Sequence, residues 1–236
     1  MRSVLPNTMP DATVHPGPAL PVPGPIPRPV GTPETGSRPP GEPLRQELAL
    51  AAARLVADTG LDYASAKRKA AQELLDGRPL PRGQLPDNLE IDEALREHLE
   101  LFDADHPQRV WRMRRAALSL MRRLSAFQPY LTGAVWKGIV AEHAPIHLQL
   151  FHDDVKAVQI DLLNDRRDFE VGELPHFRDA SRGEVEALRL DWQREPVVIS
   201  LYRHDDLRGA LRATPPERGT AIDLERLIDA TTLKTS

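Results

Sequence analysis

The stretch LTGAVWKGIVAEHAPIHLQLFHDD, residues 131–154, decides which fold the sequence predicts. Its first part contains a glycine turn, because Gly133 allows a tight bend and a close approach of the backbone. Residues 134–138 then predict a single turn of helix whose amide groups face an anion. Pro145 prevents a continuous helix into the second part of the stretch. This layout is typical of a site that holds phosphate groups.

The second part of the stretch predicts a strand. Residues 146–151, IHLQLF, alternate between apolar side chains and the polar His147 and Gln149. Alternation of this kind indicates a strand with one apolar and one polar face. We therefore expect both polar side chains to lie on one face, below the Gly133 turn.

Another alternating segment, KAVQIDLL at residues 156–163, follows almost at once. Two strands with so short a connection predict an antiparallel hairpin. Its register is constrained, since an apolar face has to meet an apolar face. The register that satisfies this condition pairs His147 with Asp161 and Gln149 with Gln159.

Residues 119–164 resemble the nucleotidyltransferase superfamily typified by DNA polymerase beta. The motif of that family is Gly-Ser, a spacer, Asp-x-Asp between apolar residues, and a third acid on a following strand. Here Thr132-Gly133-Ala134 occupies the Gly-Ser place, His147-Leu148-Gln149 stands where Asp-x-Asp would be, and Asp161 takes the third-acid position. The resemblance implies an α+β fold with a mixed β-sheet core.

Family members transfer a nucleotidyl group with two magnesium ions held by three carboxylates. His147 offers a nitrogen and Gln149 a neutral amide oxygen, whereas magnesium prefers charged oxygen ligands. With two carboxylates replaced, we expect most of the transition-state stabilisation to be lost. The resemblance implies weak catalytic candidates in Asp161 and His147, and nucleotide- or phosphate-binding residues in Thr132, Gly133, Ala134, Lys137 and Gln149.

Three functional hypotheses follow. The favoured one is a catalytically degenerate nucleotidyltransferase-like protein that binds a nucleotide, a nucleic acid or a protein partner. The second is a divergent, magnesium-dependent transferase that uses Asp161 with Asp153 or Asp154 as replacement ligands. The third is a non-catalytic scaffold that makes contacts through Trp111 and a proline-rich tail.

The same residues allow two other chemistries. His143, His147 and Asp161 could ligate a softer metal such as zinc or manganese, although Pro145 excludes the helical spacing of such ligands. A dyad of His147 and Asp161 could act as a general base, but no nucleophile is indicated. A polar cross-strand pair is the simpler interpretation.

The remaining sequence predicts a tail, a helical region and the nucleotidyltransferase-like domain. Residues 1–43 hold 13 of the 23 prolines, which stop both helix and sheet, so we expect a disordered tail, either without a role or as a docking arm for a protein partner. Residues 44–104 predict a small helical region, and 105–236 the α+β domain. Helices are expected over residues 45–58, 63–75, 88–102, 108–127 and 223–230. A further helix is expected from Leu207, capped by Asp205 or Asp206. Later strands are expected over residues 169–174 and 197–202.

The predicted helix over residues 108–127 carries six arginines outside its apolar face and no acidic residue. Guanidinium groups bind phosphate well, so this surface could bind phosphate. The other interpretation is a solvated face that pairs with the acidic third helix.

Composition limits the classes of protein. The sequence has no cysteine, no signal-peptide pattern and no long apolar run, so it predicts a cytoplasmic protein with neither disulfides nor a membrane span. The formal net charge of −4 argues against a protein that wraps nucleic acid over its whole surface, while a local basic patch is compatible with it.

Overall fold

The computed structural model describes residues 42–208 and 217–235. The described residues belong to one compact unit. The predicted tail lies outside the described residues, apart from its last two positions, which begin the first helix. The described residues contain the helices α1 (Glu42–Thr59), α2 (Tyr63–Leu74), α3 (Asn88–Phe102), α4 (His106–Arg123), α5 (Gly133–Lys137), α6 (Val155–Asn164) and α7 (Ala221–Thr235).

The strands form one mixed sheet, as the α+β prediction requires. They are β1 (Pro129–Thr132), β2 (Ile146–Phe151), β3 (Glu170–Pro175), β4 (Glu184–Trp192), β5 (Glu195–Tyr202) and β6 (Arg218–Gly219). Their order in the sheet is β3-β4-β5-β2-β1-β6. The central strand β2 pairs antiparallel with β1 and parallel with β5. Strand β4 was not predicted from the sequence.

The first three helices pack around their own apolar cluster. Helix α3 begins with a capping box, in which the Asp87 side chain accepts from the Glu90 amide and the Glu90 carboxylate accepts from the Asp87 amide. Leu48 of α1 and Ile91 of α3 are fully buried in this cluster, and Ile139, which follows α5, also belongs to it. The three predicted helices are therefore confirmed. The boundary near residue 104 stays a prediction.

A second apolar cluster lies between one face of the sheet and the helices α4, α6 and α7. The sheet contributes Leu131, Leu148 and Ile199, and the helices contribute side chains such as Met113 and Leu224. We call this the apolar face of the sheet. The alternation predicted for β2 is confirmed, since Leu148 and Leu150 are buried here while His147 and Gln149 point to the other side. That other side is called the polar face below.

The hairpin predicted for residues 156–163 is wrong, because this segment is helix α6. The Asp154 side chain accepts from the amides of Lys156 and Ala157, which caps the helix. Val158 and Leu162, four residues apart, are both buried in the sheet cluster. A short apolar run fits strand and helix equally well, and the cap with this i, i+4 pair favours the helix.

The C-terminal part agrees with the sequence in most places. The predicted strands at 169–174 and 197–202 correspond to β3 and β5, and the helix at 223–230 lies within α7. Asp205 and Asp206 lie in a 3-10 turn. The helix predicted from Leu207 falls mainly on residues 209–216, outside the described residues. No helix in the described ranges is both long and apolar enough to cross a lipid bilayer.

Two strand glycines provide a test of this packing. A methyl group on Gly219 would overlap the Trp136 ring, and one on Gly172 would overlap the guanidinium end of Arg189. A flexible arginine end can move aside, whereas the indole ring is much less free to move. We expect Gly219→Ala to lower the free energy of unfolding by about 1–3 kcal/mol, and Gly172→Ala to change it by less than about 0.5 kcal/mol. Urea denaturation measures both, and equal losses would contradict the described contact.

Candidate functional site

The turn after β1 has the geometry expected from the sequence. Gly133 has a φ of +70°, in the left-handed region that glycine adopts readily. Helix α5 starts at this residue and ends at Gly138, which also has a positive φ, +72°. A Cβ atom on Gly133 would lie 3.4 Å from Cδ2 of His147. The turn therefore rests against the imidazole of β2.

His147 lies on the polar face of the sheet, opposite Thr132 in the antiparallel register. Burial lowers the pKa of His147 below its ordinary value, so its ring is neutral at pH 7. Its ring makes no hydrogen bond with the described residues. The ring nitrogens, one a donor and one an acceptor, are thus available to a ligand.

A cavity of about 390 Å³ opens beside the turn and His147. It lies between the loop that joins α1 to α2 and the segment from β1 to β2. Its lining is mostly small and apolar, with a few polar groups. The lining residues are Val56, Gly60, Leu61, Asp62, Tyr63, Gly133, Ala134, Lys137, Ala141, His143, Ala144, Pro145 and His147. Four predicted site residues meet here, namely Gly133, Ala134, Lys137 and His147. Thr132 and Gln149 are outside this lining, and the Thr132 hydroxyl donates to the Glu217 carbonyl at 2.9 Å.

Lys137 does not present a free charge to the cavity. Its Nζ atom lies 2.6 Å from the carboxylate of Asp92, which is 5% exposed. The Tyr63 hydroxyl donates to the same carboxylate at 2.5 Å, and burial, followed by this hydrogen bond, raises the pKa of Tyr63. The three side chains connect α5 to the helices α2 and α3, so the charge of Lys137 is compensated within the protein.

Gln149 has a partner that the sequence did not indicate. Its side-chain oxygen accepts a hydrogen bond from Nη1 of Arg218 in β6, so the predicted pairing with Gln159 is wrong. Both side chains are buried, and Arg218 is 7% exposed. The sequence before Arg218 contains prolines and shows no periodic pattern, and so no sequence signal pointed to this residue.

Asp161 does not lie beside His147, contrary to the hairpin prediction. It belongs to α6, on the apolar side of the sheet, and pairs with Arg123 at 2.8 Å. His147 projects from the opposite face, so neither the His147–Asp161 dyad nor a metal site built from His143, His147 and Asp161 is formed. Within residues 42–208 and 217–235, no group of three or more His, Asp or Glu side chains is arranged to hold a metal ion.

The proposed replacement ligands also have structural roles. Asp154 caps α6, as described above, and the Asp153 carboxylate accepts from the His204 amide at 3.2 Å. The three acids of the divergent-transferase hypothesis are thus spread over a cap, a loop contact and an ion pair.

The arginines of α4 are also bound to protein groups. None of the partners lies within the third helix α3, although Asp103 directly follows it. The pairs are Arg109 with Asp103, Arg112 with Glu195, Arg114 with the carbonyls of Val135 and Trp136, Arg115 with the Trp111 ring, Arg122 with Glu225, and Arg123 with Asp161. These contacts give each arginine a partner within the protein, and phosphate binding by this surface stays a prediction. Trp111 is 41% exposed.

Comparison of the chain with protein-family models, with curated proteins and with solved structures found no match.

The partly buried imidazole of His147 predicts a pH dependence of stability. The pKa of His147 is lowered in the folded state, while in the unfolded chain it is about 6.5. Below that pH the unfolded state binds a proton that the folded state does not, so stability is retained above pH 6.5 and falls as the pH is lowered toward the folded pKa. We expect the free energy of unfolding to decrease between pH 7 and pH 5, and to decrease less in His147→Gln.

Burial also lowers the pKa of His106, so the wild-type slope contains the contributions of two histidines. His106→Gln should therefore remove its own share, and the double variant should remove both. Urea denaturation at several pH values measures these slopes. A slope unchanged by His147→Gln would contradict the burial of this ring.

Proposed function

We propose that this protein binds a nucleotide in the cavity beside the Gly133 turn, through a nucleotidyltransferase-like core that does not carry out the transfer reaction. The observation that carries the proposal is the meeting of the glycine turn and the unpaired His147 ring at one cavity. Its volume, about 390 Å³, lies in the usual range for small-ligand sites. The apolar lining suits the flat faces of a nucleoside, and the neutral imidazole offers a hydrogen bond to it.

The order of elements supports the resemblance. A strand, a glycine turn with a short helix, and a second strand antiparallel to the first follow one another along the chain. The parallel neighbour of β2 is β5. In that pairing Val198 is level with His147, and Ser200 is level with Gln149, so all four side chains lie on the polar face. If the resemblance holds, the third-acid position lies on β5 and not at Asp161.

The side chains at these positions do not fit a two-magnesium site. An imidazole, an amide oxygen already bound to Arg218, a valine and a serine hydroxyl carry no negative charge. Two dications need carboxylates, both as ligands and as compensating charge. The chemistry of this face therefore supports binding without nucleotidyl transfer, which is the degenerate form of the fold.

Two measurements test nucleotide binding in this cavity: thermal stabilisation by added nucleotides, and loss of affinity when a larger side chain fills the cavity. We expect at least one of ATP, GTP, CTP and UTP to raise the melting temperature in EDTA, since a ligand that binds only the folded state stabilises it. Ala134→Leu places a larger side chain in the cavity, and we expect at least a tenfold loss of affinity in calorimetric titration.

Ala57→Leu is the matched control, because Ala57 is a half-buried alanine that lines a different pocket next to Phe102. It should bind like the wild type. No stabilisation by any of the four nucleotides, or an equal loss in both variants, would contradict nucleotide binding in this cavity.

The absence of transfer is tested separately. Incubation with α-labelled nucleoside triphosphates and magnesium should leave protein, added nucleotides and added RNA unlabelled. Magnesium-dependent labelling that is lost in Asp161→Ala would instead support the divergent-transferase hypothesis.

A further inference from the structure

Arg218 is a buried cation whose hydrogen-bonding capacity is only partly used. It is 7% exposed, and its Nη1 donates to the neutral oxygen of Gln149. Its guanidinium lies over the Phe177 ring at 4.3 Å. The buried Nε atom has no hydrogen-bond acceptor among the described residues.

The charge of Arg218 is poorly compensated. The carboxylate of Glu217 lies 4.0 Å away, beyond hydrogen-bond distance, and its side chain is 67% exposed. The other charged group whose field reaches the guanidinium is Arg178, which has the same sign. Burial lowers the pKa of Arg218, while the group stays charged at neutral pH. A buried charge without a close counter-ion is costly, so this arrangement favours an added anion.

A half-buried arginine, Arg114, shows the contrast. Arg114 also lacks a carboxylate partner, but its Nε donates to the Val135 carbonyl and its Nη2 to the Trp136 carbonyl, both at 3.1 Å. Its Nε thus has an acceptor, which the Nε of Arg218 lacks. An open donor together with an uncompensated charge is therefore specific to Arg218 in this comparison.

The groups around Arg218 suit an anion. Tyr130 lies opposite Gln149 in the sheet, and the Tyr202 ring contacts the Phe177 ring at 4.9 Å. Burial raises the pKa of both tyrosines, so each hydroxyl keeps its proton and can donate a hydrogen bond to an acceptor. In the sheet, Arg218 is level with Thr132, and Thr132 is level with His147 on its other side. Arg218 thus lies about two strand spacings, roughly 10 Å, from the cavity histidine.

We propose that Arg218 is an anion receptor that binds a phosphate group of the ligand without a metal ion. The inference rests on the proposed function, since it assigns the phosphate end of the nucleotide to the guanidinium while the nucleoside occupies the Gly133 cavity. Guanidinium suits this role because its planar donors match phosphate oxygens. The ligand is a small phosphate compound, because a buried guanidinium is out of reach of a polymer backbone.

The decisive variant is Gln149→Glu, which places a carboxylate where the amide oxygen now contacts Arg218. The new carboxylate compensates the guanidinium internally, so the variant should melt at a higher temperature than the wild type in buffer without phosphate. It should also bind pyrophosphate at least tenfold more weakly in calorimetric titration in EDTA. Arg218→Gln should lose pyrophosphate binding as well, and Gln149→Glu keeps the test valid if Arg218→Gln does not fold.

Two results would overturn the inference: wild-type protein that does not bind pyrophosphate, or Gln149→Glu that binds it like the wild type. A short single-stranded oligonucleotide should not compete with pyrophosphate, and competition would show that the site recognises a polymer.

Adenosine, guanosine, cytidine and uridine separate this inference from the proposed function. A nucleoside that binds the wild type and Gln149→Glu equally, but not Ala134→Leu, supports the cavity. Nucleoside binding without pyrophosphate binding overturns the Arg218 inference alone. Pyrophosphate binding without binding of any nucleoside or nucleotide overturns the proposed function alone.

Discussion

The two-sided burial of β2 is the constraint on which the rest of the structure depends. This strand has neighbours on both sides, and its Leu148 and Leu150 close the apolar core against α4, α6 and α7. Because successive side chains of a strand point to opposite faces, this packing directs His147 and Gln149 to the polar face. A shift by one residue would place the two polar side chains in the apolar core and move the leucines to the polar face.

The polar face differs in charge from the carboxylate-bearing face that an active nucleotidyltransferase would need. Instead of acids that would attract cations, it carries a neutral imidazole, a neutral amide and a buried guanidinium. The positive charge belongs to the protein itself and is held by Gln149 and the Phe177 ring. A face of this kind attracts anions without a metal, which links the proposed nucleotide binding to the proposed role of Arg218.

The helical region and α5 also line the cavity, with side chains such as Val56, Tyr63 and Ala134. The contacts of Tyr63 and Lys137 with the buried Asp92 connect α5 to the preceding helices. Lys137, which the sequence predicted as a phosphate ligand, therefore acts as a structural residue. Its pairing with Asp92 leaves a mostly apolar cavity at the Gly133 turn, which agrees with the proposal that the nucleoside binds there and the phosphates do not.

The sequence by itself determined the helices α1 to α4, the Gly133 turn and the strand β2, because caps, prolines, glycine and apolar periodicity act within a few residues of chain. It also determined that β2 carries no carboxylates. Only the tertiary structure decided that residues 155–164 are helical, since a short apolar run fits either element until it packs. It also decided the partner of Gln149, which is 69 residues away. Contacts over such distances depend on the order of strands in the sheet, and local sequence does not specify that order.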